Sequence, residues 1–214
     1  MDTTKHYIPA MGVHWLTPFY DPLVRRFMQE DHLRSQLILQ AEILPGMKVL
    51  DLGSGTGSLT ILIKQSHRMA SVYGLDADPQ VLEIARRKAS HAEVDINLDQ
   101  GMAYQLPYPD GMFDRVVTSL AFHHLDIHEK QLAMREVFRV LRPGGYFCLL
   151  DFGKPHGWYA RLASQVLRRT EHAADNVQGL LPVMMGQAGF QNVVEVERLP
   201  MFMGDISLLM GEKH

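Results

Sequence analysis

The chain has 214 residues, of which 46% are hydrophobic and 21% charged, with a net charge of −3. That is an ordinary globular composition with enough apolar material for one sizeable core. No basic block stands out, which argues against a phosphate-tracking nucleic-acid surface. Arg161, Arg168 and Arg169 form a small cluster that reads as a solvated helix face.

The only cysteine, Cys148, lies in an apolar run. It reads as a small buried hydrophobe in a reducing cytoplasm. The opening residues lack a basic segment followed by an apolar stretch, so no signal peptide is expected. No apolar run approaches the roughly 20 residues that span a bilayer.

Residues 1–44 read as an irregular, aromatic and proline-rich stretch followed by helices near Pro22–Glu30 and His32–Leu44. Pro45-Gly46 ends the second helix. Residues 45–214 form the rest of one domain. A short apolar strand, Lys48–Leu52, leads into a glycine turn and a helix over Leu59–Ser66. Ser71–Asp76 is the second strand. Asp78-Pro79 starts a helix reaching about Ser90, since proline at the first helical position costs no hydrogen bond.

Asp95–Leu98 is a weak third strand and Phe113–Leu120 a fourth. His128–Leu141 is helical, Arg142–Gly145 turns, and Tyr146–Asp151 is a fifth strand. Helices over Trp158–Arg169 and Asn176–Ala188 precede two late strands, Asn192–Leu199 and Met201–Gly211. Strands alternating with helices predict a parallel sheet covered on both faces. Ligands of such sheets sit beyond the carboxyl ends of the strands.

That rim holds the turn Asp51-Leu52-Gly53-Ser54-Gly55-Thr56-Gly57. Glycine lets backbone approach a ligand closely. A dinucleotide pyrophosphate site wants G-x-G-x-x-G, and Ser58 stands where its last glycine belongs. No Lys-Ser/Thr pair follows, so a P-loop is disfavoured too. Asp76 ends the second strand, where an acid can accept two hydrogen bonds from a ribose diol.

The segments VLDLGSGTG, VYGLDADPQVLEIARRKA, LPYPDGMFDRVVTSLAFHHL and EVFRVLRPGGYFCLLDF resemble successive motifs of class I S-adenosylmethionine-dependent methyltransferases. They and the late stretch GLLPVMMGQAGFQNVVEVERL are similar to the UbiE-like branch, over about residues 45–211. The resemblance implies an α/β Rossmann-like fold: seven mostly parallel strands, helices on both faces and an N-terminal helical lid.

The resemblance also implies S-adenosylmethionine as cofactor. Gly53, Ser54 and Gly55 line its methionine part, and Asp51 supports the ammonium. Asp76 holds the ribose and Ala77 touches the adenine. The family often has Gly-Asp-Ala after the third strand; here the triplet is Gly101-Met102-Ala103. Met102 then packs on the adenine, with backbone groups of Met102 and Ala103 making polar contacts. Ser119 and Leu120 lie near the methionine end.

Candidate catalytic groups are the titratable residues of the same rim. His123 or His124 is suited to take a proton from a hydroxyl, and a packing role for the pair competes with that reading. As sequence neighbours they are expected to point different ways. Asp151 either orients a histidine, binds substrate or caps a turn. Tyr20, through the branch's N-terminal Tyr-Asp pair, either lines the methyl-transfer chamber or staples the first helix, with His14 and Trp15 beside it. His123, His124, His128 and Asp126 are the one dense candidate metal cluster, without metal-site spacing; no metal is expected. The methionines Met184, Met185, Met201, Met203 and Met210 read mostly as core filler, a few lining an apolar pocket.

The expected function is methylation of a small apolar or aromatic acceptor on carbon or oxygen. The alternatives are N-methylation of an amine or phospholipid headgroup, and a non-catalytic cofactor-binding accessory protein. A cytoplasmic monomer or homodimer is expected, touching membranes only peripherally.

Overall fold

The computed structural model describes residues 30–154, 174–199 and 205–214. Among these, seven strands form one sheet in the order β3-β2-β1-β4-β5-β7-β6. The strands are β1 (Lys48–Leu52), β2 (Ser71–Asp76), β3 (Asn97–Gln100), β4 (Phe113–Ser119), β5 (Leu141–Phe152), β6 (Gln191–Leu199) and β7 (Ile206–Lys213). Strands β1 to β5 pair in parallel, and β7 runs antiparallel to both β5 and β6. The helices are α1 (Glu30–Gln40), α2 (Ser58–Ser66), α3 (Pro79–His91), α4 (Ile127–Val140), α5 (Ala174–Val177) and α6 (Leu181–Ala188).

The period-2 alternation of the strands divides the core in two. Leu50, Val116, Phe147 and Leu149 pack on one face with Met134 and Val137 of α4 and Met185 of α6. Val49, Val117, Cys148 and Leu150 pack on the other with Leu33 and Leu37 of α1 and Ile63 of α2. Both faces are buried, as a parallel sheet requires. Cys148 lies wholly inside, and burial pushes its thiol up to about 12.

Several boundaries differ from the sequence reading, each for a local reason. Helix α1 stops at Gln40 rather than Leu44 because Glu42 takes a left-handed backbone (φ 47). The third strand slides to Asn97–Gln100, its polar sequence carrying little alternation of its own. Arg142–Gly145 is a bulged start of β5 rather than a turn before it. The register with β4 jumps there, and Gly144 sits at φ 74.

The helix expected over Asn176–Ala188 is two pieces. Gly179 (φ 77) breaks it, and Pro182 starts α6 afresh. The last strand is Ile206–Lys213 rather than Met201–Gly211. The helices expected at Pro22–Glu30 and Trp158–Arg169 fall almost wholly outside the described residues, as do Tyr20, His14, Trp15, Met201 and Met203. Met184 and Met185 are buried in the core and Met210 packs against it, so these three are filler rather than pocket lining. Among the described residues, no helix is long and apolar enough to cross a membrane.

Candidate active site

Strand order reverses between β1 and β4, so the chain leaves the sheet in opposite directions on either side of one crevice. The glycine turn fills this switch point. Gly53 N–H and Ser54 N–H both donate to the Leu75 carbonyl, at 2.8 and 3.0 Å, which ties the turn to β2. Gly53, Gly55 and Gly57 all have positive φ (73, 52 and 77). A β-carbon on Gly53 would collide with Cβ of Ala121, so the turn and the loop after β4 are in direct contact. At Gly55 nothing lies within 4 Å of that position, and the backbone is open on that side.

Asp76 braces the cradle. Its Oδ2 accepts from Gly55 N–H at 2.8 Å and its Oδ1 from Asp78 N–H at 3.0 Å. The Ala77 N–H bears on the same carboxylate, which with about four lone-pair sites still has capacity to accept from a ligand hydroxyl. Burial raises its pKa, opposed by those two N–H donors. The loop after β3 closes beside it: Gly101 N–H donates to the Asp76 carbonyl at 3.0 Å, and Gln100 Nε2 to that of Ala77 at 3.2 Å. Met102 bridges to Gln105 in this loop, and Ala103 packs against the core.

Asp51 lies beneath the turn, 1% exposed, accepting from Thr60 Oγ1 at 2.6 Å. Burial pushes its carboxyl up to about 7. Any influence on a ligand above the turn is therefore electrostatic, across the turn. Leu120 is held at φ 54 with its N–H on the Leu150 carbonyl at 2.8 Å. For a branched side chain this is strain of order 1–3 kcal/mol, the kind that collects at functional sites.

Ser54 Oγ and Ser119 Oγ, on either side of the crevice, are buried with no hydrogen-bond partner among the described residues. Two orphaned hydroxyls, an open glycine backbone and a braced carboxylate fit a polar ligand bearing a diol.

The acid–base candidates come together at the ends of β4 and β5. Phe122–His124 forms one 3-10 turn. The two imidazoles do not diverge as the sequence suggested: the tight turn tilts them together, with ring centres 4.1 Å apart. His123 is buried, with Nδ1 at 3.0 Å from Asp151 Oδ1. Burial, and then the proximity of His123, lower His124 to about 4, so it is neutral near pH 7. Among the described residues Asp151 caps no turn after β5, though it accepts from the N–H of its neighbour Phe152. It reaches back to the His123 turn, accepting from the N–H groups of Phe122 (2.8 Å) and His123 (3.2 Å). No group of three or more His, Cys, Asp or Glu among the described residues is arranged for a metal.

Three contributors were missed in the sequence. Thr60 holds Asp51. Lys88 of α3 reaches Thr56 Oγ1 at 3.1 Å and Ser58 Oγ at 2.6 Å, giving Ser58 a role in bracing the turn. Asn176 donates to Asp151 Oδ1 at 3.0 Å. Pairings between distant segments leave no local pattern that would have revealed them.

The family described as "Methyltransferase domain" matches residues 49–145. The chain is 40% identical over 151 residues to an uncharacterized methyltransferase of Synechocystis sp., covering 69% of this chain and 68% of that one. It is 33% identical over 195 residues to the ubiquinone/menaquinone biosynthesis C-methyltransferase UbiE of Shewanella sediminis (79% and 75%). Against the demethylmenaquinone methyltransferase of Thermus thermophilus the identity is 40% over 108 residues, spanning about half of each chain (50% and 48%). Among solved structures, the YcgJ protein of Bacillus subtilis superposes with a TM-score of 0.69 at 21% identity, covering 86% of this chain and 99% of that one.

Proposed function

Because the chain belongs to the class I S-adenosylmethionine-dependent methyltransferases, in their UbiE-like branch, we propose that it methylates a carbon or oxygen of a small apolar or aromatic acceptor and that His123 takes up the acceptor's proton. S-adenosylmethionine supplies a methyl group activated on a sulfonium. In this reading Gly53, Ser54 and Gly55 cradle the methionine part, Asp76 takes the ribose hydroxyls and Asp51 favours the ammonium from below. Ala77, Met102 and Ala103 border the adenine, while Ser119 and Leu120 border the methionine end.

The observation that carries the acceptor chemistry is the buried His123–Asp151 pair on this rim. An imidazole backed by a carboxylate accepts a proton more readily, because the fixed negative charge stabilises the imidazolium. A phenol or hydroquinone that loses its O–H proton becomes nucleophilic at oxygen and at ring carbon. Bound S-adenosylmethionine would then supply the methyl group to either atom, its carbon–sulfur bond breaking as the new bond forms. Burial favours an apolar acceptor over a charged one, which would forfeit its hydration there. The quinone-pathway C-methyltransferase among the relatives agrees with that class.

The test is incubation of the full chain with labelled S-adenosylmethionine and separate pools of quinols, phenols and amines, read by mass spectrometry. Label is expected in the quinol or phenol pools, and His123→Ala slows it. Label confined to amines would overturn the reading.

A further inference from the structure

Five donors converge on Asp151, which is fully buried. Its Oδ1 accepts from Phe152 N–H (2.7 Å), Asn176 Nδ2 (3.0 Å) and His123 Nδ1 (3.0 Å); its Oδ2 accepts from the N–H groups of Phe122 and His123. A carboxylate has about four lone-pair sites, and all are in use. Four of the five, the three backbone N–H groups and the Asn176 amide, can only donate, and four fixed donors favour the ionised carboxylate. Burial alone would raise its pKa; the close approach and hydrogen bond of His123, and then the Phe152 N–H, outweigh it and hold the carboxyl below the ordinary range.

Asn176 is fully buried as well, and only one end of its amide is satisfied. Nδ2 meets Asp151, while Oδ1 meets no donor among the described residues. The reverse flip would press a carbonyl oxygen against a carboxylate, so the hydrogen bond to Asp151 alone decides the orientation.

The segment bearing Asn176 is itself held from α4. The side chain of Lys130 is buried, with Nζ at 3.4 Å from Asp175 Oδ2, the residue before Asn176. Burial draws the Lys130 ammonium below its usual range, against the pull of Asp175 and Asp151. Helix α4 in turn starts just after His124, at the Asp126 cap. The ring therefore closes: α4 holds α5, α5 holds Asp151, and Asp151 holds the turn that leads back to α4. Among the described residues, the charged and titratable groups around this ring include His124, Asp126, Lys130, Asp151 and Asp175.

From these contacts we infer that Asn176 is a positioning residue: by fixing the Asp151 carboxylate it holds neutral His123 in the Nδ1–H tautomer, so that Nε2 is the nitrogen that takes the acceptor's proton. The tautomer follows from geometry, because a carboxylate already saturated with donors accepts from Nδ1 only if Nδ1 carries the hydrogen. The catalytic half of the statement rests on the proposed proton transfer to His123.

The test compares the full chain with its Asn176→Leu variant by nitrogen NMR of the imidazoles, which needs no acceptor. Once titrated to its neutral form, wild-type His123 is expected to carry its hydrogen on Nδ1, and His123 of Asn176→Leu to show a mixture with Nε2–H. Turnover with an accepted quinol or phenol is expected to fall about 10- to 100-fold in kcat with little change in KM, as for a small displacement of a catalytic group. An unchanged tautomer in the variant overturns the positioning role, whatever the rate. A changed tautomer with unchanged turnover upholds positioning and overturns proton transfer to His123. Should the variant fail to fold, the wild-type spectrum decides, since an Nε2–H His123 contradicts the inference outright.

Discussion

Gly55 and Gly53 share a sequence pattern but differ in what surrounds them. At Gly53 both the positive φ and contact with Ala121 exclude a side chain. At Gly55 only the backbone objects: φ is 52, and nothing lies within 4 Å of an added β-carbon. That separates stability from binding. Gly55→Ala is expected to cost the free protein about 1–2 kcal/mol, the left-handed penalty for an L-residue. The same methyl group projects into the open side of the cradle, so affinity for S-adenosylmethionine is expected to fall more than about tenfold, a loss of over about 1.4 kcal/mol. Thermal unfolding and calorimetry read the two effects separately. Unchanged affinity would mean that the ligand does not lie over Gly55.

Helix α4 shows how an element with an ordinary structural signal bears on the proposed chemistry. Asp126 accepts from Glu129 N–H at 2.8 Å, and Glu129 reaches back to Asp126 N–H at 3.1 Å, a complete capping box. The box stands directly after His123-His124, so it fixes both the start of the helix and the exit of the 3-10 turn. Asp126→Ala is expected to cost about 1 kcal/mol of stability, as other lost caps do. It should also lower kcat by loosening the turn; an unaffected kcat would show that Asp151 holds the turn alone.

Such local signals are what the sequence carries plainly. The Asp78 cap with Pro79, the glycine turn and the apolar runs of β1, β2 and β4 were readable because each encodes its own conformation. The place of Asp76 at the end of β2 was legible for the same reason. What stayed hidden depends on distant segments meeting. The bulge in β5 exists only against β4. Nothing local marks Lys130 as buried; its partner Asp175 comes 45 positions later. Asn176 reads as the start of a helix until Asp151 is found 25 positions back along the chain.

At the scale of the molecule, the reversal of strand order brings three segments far apart in the chain around one crevice. The β1 turn, the end of β2 and the end of β4 are already joined by backbone bonds and by the contact of Gly53 with Ala121. A ligand spanning all three binds the folded chain and has no counterpart site in the unfolded one, so it stabilises by mass action. At about a hundred times its Kd that amounts to about 2.7 kcal/mol. For a domain of this size each kcal/mol moves Tm by about 2–4 °C, so S-adenosylmethionine is expected to raise Tm by about 5–10 °C. NAD is expected to raise it little. Its pyrophosphate wants a glycine where Ser58 stands, and here the Ser58 hydroxyl is engaged by Lys88 at 2.6 Å, which fixes the turn in its present shape. Differential scanning calorimetry with each ligand in turn checks this. A larger shift with NAD than with S-adenosylmethionine would contradict the assignment of the crevice, and equal small shifts would place the cofactor elsewhere on the molecule.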